Sequence, residues 1–235
     1  LDKFNPEALI HLGSENPSFN QQFNNKEYFL NLSFTKKLIN YCANKNIKFV
    51  FPSSSLIFNK SKKKINENSK VRSSSHYTKF RIDASNYLLK LKKKLNLNAS
   101  IVILFNHDSK FRNRRFLLPR LIIAIKKKNY SFLKEIYLNN ISGDFSHAQD
   151  ICNGIFLLIK KDKNPDKIIL ASGKRSYIND IINSFCPKIR ESADYSKIKN
   201  TNLNIGNNSK ATRMLNWKLK KNSLDAAKEI FKTKL

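Results

Sequence analysis

Glycine is scarce in this chain: five residues in 235, with no GxGxxG or GxxGxxG among them. Such a turn lets backbone wrap a pyrophosphate at a helix N-terminus, so the sequence shows no cradle of that kind. Cysteine is nearly as sparse. Cys42, Cys152 and Cys186 are far apart, odd in number and form no CxxC. That argues against a disulfide framework and for reduced, mostly core thiols in a cytoplasmic protein. The four histidines make no ligand-spaced pair, so no metal site is expected. No apolar run approaches the ~18 residues of a membrane span. Methionine occurs once, at Met214, and the first residue is Leu1. A longer natural chain is expected on that ground. Leu1–Ala8 lacks the basic head and apolar middle of a signal peptide.

Acid is the other shortage. Seventeen Asp and Glu face 45 Lys and Arg, a net charge of +28. Such an excess suits nucleic acid or an anionic surface. Here the bases are spread along the chain, with short runs at Lys60–Lys64, Lys92–Lys94 and Lys126–Lys128. No helix-turn-helix, finger or RNP pattern accompanies them. The excess therefore reads as biased composition, and no specific nucleic-acid partner is expected. A basic surface also suits an anionic small molecule.

What is present is an alternation of helix and strand. His76–Leu95 carries Tyr77, Phe80, Arg81, Ala84, Tyr87, Leu88, Leu91 and Leu95 at helical spacing. At ~100° per residue Tyr77 and Arg81 lie within about 40° of each other, and Lys79 is turned away. Ile101–Phe105 follows as an apolar run, the mark of a strand covered on both faces. Further strands are expected at Glu7–Gly13, Lys48–Phe51, Lys134–Asn140 and Lys167–Ser172. Helices are expected at Tyr28–Asn44, Phe116–Lys127, Ser146–Lys160, Ser176–Phe185, Asn208–Leu215 and Ser223–Lys232. The inward stripes are Leu30, Phe34, Leu38, Ile39 and Cys42 in the first, and Ala148, Ile151, Cys152, Ile155, Phe156 and Ile159 in the third. Lys60–Ser75, charged and serine-rich, reads as an exposed insertion or lid. The pattern predicts an α/β fold with a parallel sheet.

Several stretches together resemble one family. Tyr77 and Arg81 stand like the YxxxK pair of the short-chain dehydrogenase/reductases, after a strand that ends in Ser53-Ser54-Ser55. Leu104-Phe105-Asn106-His107-Asp108-Ser109 is similar to the LFNHES of GDP-mannose 4,6-dehydratases. Asp144–Asp150 resembles their RDWGHAKDY, Ile169–Gly173 their VIATG, and Ser209–Lys218 their TKAxxxLGWxP. By these matches the chain is identified as a member of the extended family of NAD-dependent epimerases and dehydratases. The resemblance implies a Rossmann-like parallel sheet, incomplete at its N-terminal side by about 60–80 residues. It divides the chain into a partial dinucleotide-binding domain at 1–109 and a smaller substrate lobe at 110–235, with elements returning to the sheet.

The resemblance also implies a chemistry. Ser54, Tyr77 and Arg81 take the catalytic places, with Tyr77 as proton carrier and Arg81 as the cation that favours its charged form. Leu12, Gly13, Tyr77, Arg81 and His107 take the cofactor places, for NADP or NAD. Ser55, Asn106, Arg115 and Arg120 take substrate places, for a nucleotide-diphosphate sugar of the GDP-mannose kind, in deoxysugar and surface-polysaccharide synthesis. A homo-oligomer is left open. Four departures matter. The glycine turn is missing, so the chain alone should bind cofactor weakly. Arginine replaces lysine at 81, which is not a conservative exchange. Leu56 stands where the dehydratases carry a glutamate base, and Gly143 where they carry an arginine. Three classes stay in play: a nucleotide-sugar dehydratase or related reductase or epimerase; a non-catalytic relative binding a sugar nucleotide or partner; and, least favoured, a nucleic-acid binder.

Overall fold

The computed structural model describes residues 2–17 and 23–233. Its elements run in the order β1 (Ala8–Ile10), α1 (Asn25–Asn44), β2 (Lys48–Ser54), α2 (His76–Leu95), β3 (Ala99–Leu104), β4 (Asn106–Asp108), α3 (Leu117–Lys126) and α4 (Tyr130–Asn139). Then come β5 (Ser142–Gly143), β6 (Phe145–His147), α5 (Ala148–Ile159), β7 (Lys167–Leu170), β8 (Ser176–Tyr177), α6 (Ile178–Phe185), α7 (Lys188–Glu191), α8 (Ser209–Leu215) and α9 (Ser223–Lys232).

The expected parallel sheet is there, in the order β1-β2-β3-β7. Phe49 pairs with Ala99 and Ser54 with Leu104, so β2 and β3 run in register to their C-terminal ends. Alternate residues of each strand serve opposite faces. Phe49, Phe51, Ile101 and Ile103 pack under α1 and α2. Val50, Val102, Ile168 and Leu170 pack against Ile151, Leu158 and Trp217. Both faces are thus covered, which is why β3 reads as an unbroken apolar run. A second core of Leu121, Ile122, Leu133, Ile136, Ile181, Ile182 and Ala227 joins α3, α4, α6 and α9. Short parallel pairing of β4 with β6 links the two cores.

Several expectations are corrected. Lys134–Asn140 is helix, not strand. Leu133, Ile136 and Tyr137 are buried on one helical face, Asn129 caps the start by accepting from Phe132 N, and Asn140 closes it at φ 40°. In α1 the buried stripe is Tyr28, Leu32, Thr35, Ile39 and Cys42. Leu30 and Phe34 lie outside it, 61% and 51% exposed, because Thr35 turns inward to hydrogen-bond His11. In α5, Cys152 and Phe156 face out while Asp150 and Gly154 face in. Trp217 Nε1 donates to Asp150 O and fills the space beside Gly154. Of the three free thiols only Cys42 is in the core. The 60–75 segment is no free lid: Ile65 is buried and its N–H and carbonyl bond Ile205 O and Asn207 N at 2.8 and 2.7 Å. Among the described residues no helix is long and apolar enough to cross a membrane, and no His, Cys, Asp and Glu cluster could hold a metal ion.

Candidate active site

The C-terminal ends of β2 and β3 open into a cleft of about 390 Å³. In parallel α/β sheets that is where side chains from several elements converge. Tyr77 reaches it from the first turn of α2. The start of that helix is fixed by a capping box in which Ser75 Oγ accepts from Thr78 N and Thr78 Oγ1 accepts from Ser75 N. One turn on, Arg81 points the same way, as its spacing predicts. Both are buried, and the Arg81 guanidinium carbon lies 5.1 Å from the Tyr77 ring centre. Lys79 faces outward over Tyr28.

Arg81 is held from several sides. Its Nη1 donates to Pro52 O at 2.7 Å. Its guanidinium also stands over Phe51 at 5.6 Å and Phe80 at 5.1 Å, a favourable place for a desolvated cation. Its Nε is buried without a partner, as is Ser53 Oγ in the same cleft. Buried polar atoms of this kind are costly unless a ligand completes them. Ser54 Oγ accepts from Leu56 N at 3.2 Å and caps the short turn Ser55–Ile57. A hydroxyl that accepts there still has its own proton to donate.

The imidazole of His11 forms the floor beside Arg81. It bonds Thr35 Oγ1 through Nε2 at 2.9 Å and stacks on Phe51 with centroids 6.0 Å apart. Burial, and then the Arg81 charge, push its pKa down to about 4, so the ring is neutral near pH 7. At the far wall Arg112 lies over Phe116, 3.5 Å from the ring centre, with its Nε 3.4 Å from Asp108 Oδ1. Burial raises the Asp108 carboxyl to about 6 against the pull of Arg112. His107 Nδ1 bonds Phe105 O at 2.8 Å, and burial lowers its pKa.

Leu12, Ser54, Ser55, Tyr77, Arg81, Asn106 and His107 therefore come together around one cleft. Gly13 is exposed beside His11 and is absent from the cleft wall. Arg115 is exposed and Arg120 lies over Phe132 in a separate surface hollow, so the structure brings neither to the cleft. Among the arginines of the 112–120 stretch it is Arg112 that lines the cleft. A loop of basic residues carries no periodicity to say which one turns inward; only packing on Phe116 decides it. His11 escaped the sequence reading, since a lone histidine after a short strand has no spacing signal, whereas Ser53 stood within the serine run at the strand end.

Three comparisons bear on this arrangement. A family model described as GDP-mannose 4,6 dehydratase matches residues 1–230. The chain is similar to GDP-mannose 4,6 dehydratase of Dictyostelium discoideum, 22% identical over 155 residues, which are 54% of this chain and 43% of that protein. The chain thus matches less than half the length of that relative. Among solved structures it is similar to UDP-glucuronic acid 4-epimerase from Bacillus cereus in complex with NAD, at a TM-score of 0.76 and 17% identity, covering 96% of this chain and 73% of that one. It is likewise similar to dTDP-glucose 4,6-dehydratase from Bacillus anthracis in complex with NAD, at 0.77 and 13%, covering 98% and 73%. These likenesses show the fold.

Proposed function

The chain belongs to the GDP-mannose 4,6 dehydratase family, and from that premise we propose that its cleft exchanges hydride and proton with one carbinol of a nucleotide-diphosphate sugar. The observation that carries this reading is the convergence of Ser54, Tyr77 and Arg81 on a cleft whose described walls contain no Asp or Glu. Ser54 donates a hydrogen bond to the sugar oxygen and orients it. Tyr77 takes the hydroxyl proton, or returns it in the reverse direction. Arg81, fixed by Pro52 O and three rings, keeps a positive charge beside the phenol throughout. The neutral His11 adds no competing charge.

The group implied by this chemistry is a nicotinamide dinucleotide, NADP or NAD, which supplies the hydride acceptor when bound. The residues fit one half of it. Tyr77, Arg81 and the unpartnered Ser53 Oγ offer polar atoms to a nicotinamide riboside. A pyrophosphate turn is not found among the described residues, and β1 is the outermost strand on the side where one would be sought.

The finer reading, a GDP-mannose 4,6-dehydratase, needs a carboxylate base beside the sugar to remove a second proton. Leu56 stands at the cleft instead, 62% exposed, and no Asp or Glu is among the described residues of the lining. General-base assistance is worth ~10²–10⁴-fold, which leucine cannot supply. The geometry therefore favours the reductase or epimerase side of the family over water loss. The test is nicotinamide absorbance at millimolar cofactor with GDP- and UDP-linked sugars and their 4-keto forms. Turnover lost by ~10²-fold or more in Tyr77→Phe, with no deoxysugar formed, is the expected result. A deoxysugar product from the unaltered chain would return the reading to the dehydratase, and turnover indifferent to Tyr77→Phe would remove the phenol from the chemistry.

A further inference from the structure

Beside the cleft lies a larger chamber of about 710 Å³, and Ser55, Leu56 and Asn106 line both. Its size suits a small-molecule ligand. Its walls come from chain segments far apart in sequence: 55–60 and 72–74 on one side, 202–204 on the other. The first wall is a narrow ladder. Phe58 bridges Val71, Asn59 N donates to Lys70 O at 3.2 Å, and Arg72 N donates to Ile57 O at 2.6 Å. That ladder is stitched to the second wall. Ser61 N donates to Asn204 Oδ1 and Asn204 Nδ2 donates to Asn59 O, both at 2.9 Å. The backbone that carries the lining is therefore fixed before any ligand arrives.

The charges in this chamber are one-sided. Among the described residues, Lys60 and Arg72 line it and no Asp or Glu does. Neither cation makes an ion pair or side-chain hydrogen bond among the described residues. The opposite wall cannot contribute a third. Leu203 closes it, packed so tightly on Gly143 that a Cβ at Gly143 would lie 2.8 Å from Leu203 Cβ. The remaining polar lining is neutral: Ser55, Ser74 and the amides of Asn59, Asn106, Asn202 and Asn204.

We propose that the chamber holds the diphosphate of the sugar nucleotide and that Lys60 and Arg72 are its counter-charges. This rests on the nucleotide-sugar reading above. A diphosphate diester carries two negative charges, which one lysine and one arginine balance. A monoanion would leave one cation unmatched. Arginine's fork suits two phosphate oxygens at once, while lysine acts as a point charge. The shared lining then places the sugar, attached to the diphosphate, at Leu56 and Asn106, where the chamber meets the Tyr77 cleft.

The experiment is calorimetric titration of the whole chain with GDP and with UDP at about 0.15 M salt, where the Debye length is about 8 Å. The variants are Lys60→Gln, Arg72→Gln, both together, and the remote pair Lys93→Gln/Lys94→Gln, which removes the same charge from the exposed end of α2. Each single variant should weaken binding about tenfold and the double variant about a hundredfold, as for charge-assisted hydrogen bonds. The remote pair should stay within about twofold, since charges beyond a Debye length are screened. NADP is titrated in parallel and should be indifferent to the double variant. Equal losses in the remote pair would mean diffuse attraction and overturn the clamp. So would unchanged GDP and UDP affinity in the double variant, no binding of either at millimolar concentration, or a loss confined to NADP. Nicotinamide turnover is read separately. If the clamp behaves as stated and no turnover occurs with any sugar nucleotide, the chamber assignment stands and the redox reading falls. If turnover occurs and the double variant binds both nucleotides as tightly as the unaltered chain, the redox reading stands and the clamp falls.

Discussion

Single residues carry two kinds of work here, and His11 shows both. Its imidazole is buried on Phe51 and bonded to Thr35, so protonation in the folded state is disfavoured. Its pKa falls from 6.5 to about 4. A lowered histidine contributes stability that is complete above pH 6.5 and is lost as pH falls toward 4, about 3 kcal/mol in all. Asp108, raised to about 6, acts with the opposite sign, losing stability as pH rises from 3.8. Comparing the chain with His11→Asn cancels the Asp108 contribution. Urea unfolding between pH 7 and pH 4 should show the unaltered chain losing about 3 kcal/mol more than the variant. Parallel pH curves would mean that His11 is protonated without cost. Asp144 is the other residue with wide reach. Fully buried, it accepts from Ser172 N, Gly173 N and Gly206 N at 2.6, 2.9 and 3.1 Å, tying the β7 exit to the last third of the chain.

Among the elements, caps and faces decided where periodicity was ambiguous. The stretch Lys134–Asn140 has the isoleucine, tyrosine and leucine of a strand, yet it is the second half of a helix. Asn129 starts that helix. Asn129→Ala should cost about 1 kcal/mol in thermal or urea unfolding, the usual worth of an N-cap. No change would mean that the cap is idle and tertiary packing alone sets the helix. The 60–75 segment is a second case. Its charge and serine content suggest an exposed flap, but one buried isoleucine anchors it. Ile65→Ala should destabilise by roughly 2–4 kcal/mol, as for other buried large-to-small changes. It should also raise proteolysis between 60 and 75, because the chamber wall depends on that anchor. Resistance equal to that of the unaltered chain would show that the Ile205 and Asn207 backbone bonds suffice alone.

At the scale of the whole molecule, the proposed cofactor site is bounded by what a sheet of four strands provides. On the proposed reading the described residues offer polar atoms to a nicotinamide end and offer the phosphates nothing that resembles a glycine turn. Calorimetry should therefore find NADP and NAD binding weaker than micromolar, that is, less than about 8 kcal/mol of binding free energy. Micromolar affinity would place the phosphate contacts on residues outside the cleft. The net charge of +28 points the same way as the chamber. It raises the local concentration of anionic ligands without specifying any of them.

Residue order was enough to specify the parallel sheet, the helix from His76 to Leu95 and the inward pairing of Tyr77 with Arg81. Those follow from local rules: a 3.6-residue period, an apolar run and a serine cap, each readable within about twenty residues. The same rules turned Lys79 outward. Three features needed the folded chain: which arginine of the 112–120 stretch lines the cleft, which of Phe34 and Thr35 turns inward, and that Lys60 and Arg72 line one chamber. In each of those the deciding partner is remote in sequence or buried in another element: Phe116 under Arg112, His11 across from Thr35, and the 202–207 segment against the 57–72 ladder. A local pattern can rank faces of a helix, but it contains no information on which distant backbone will be stitched against it.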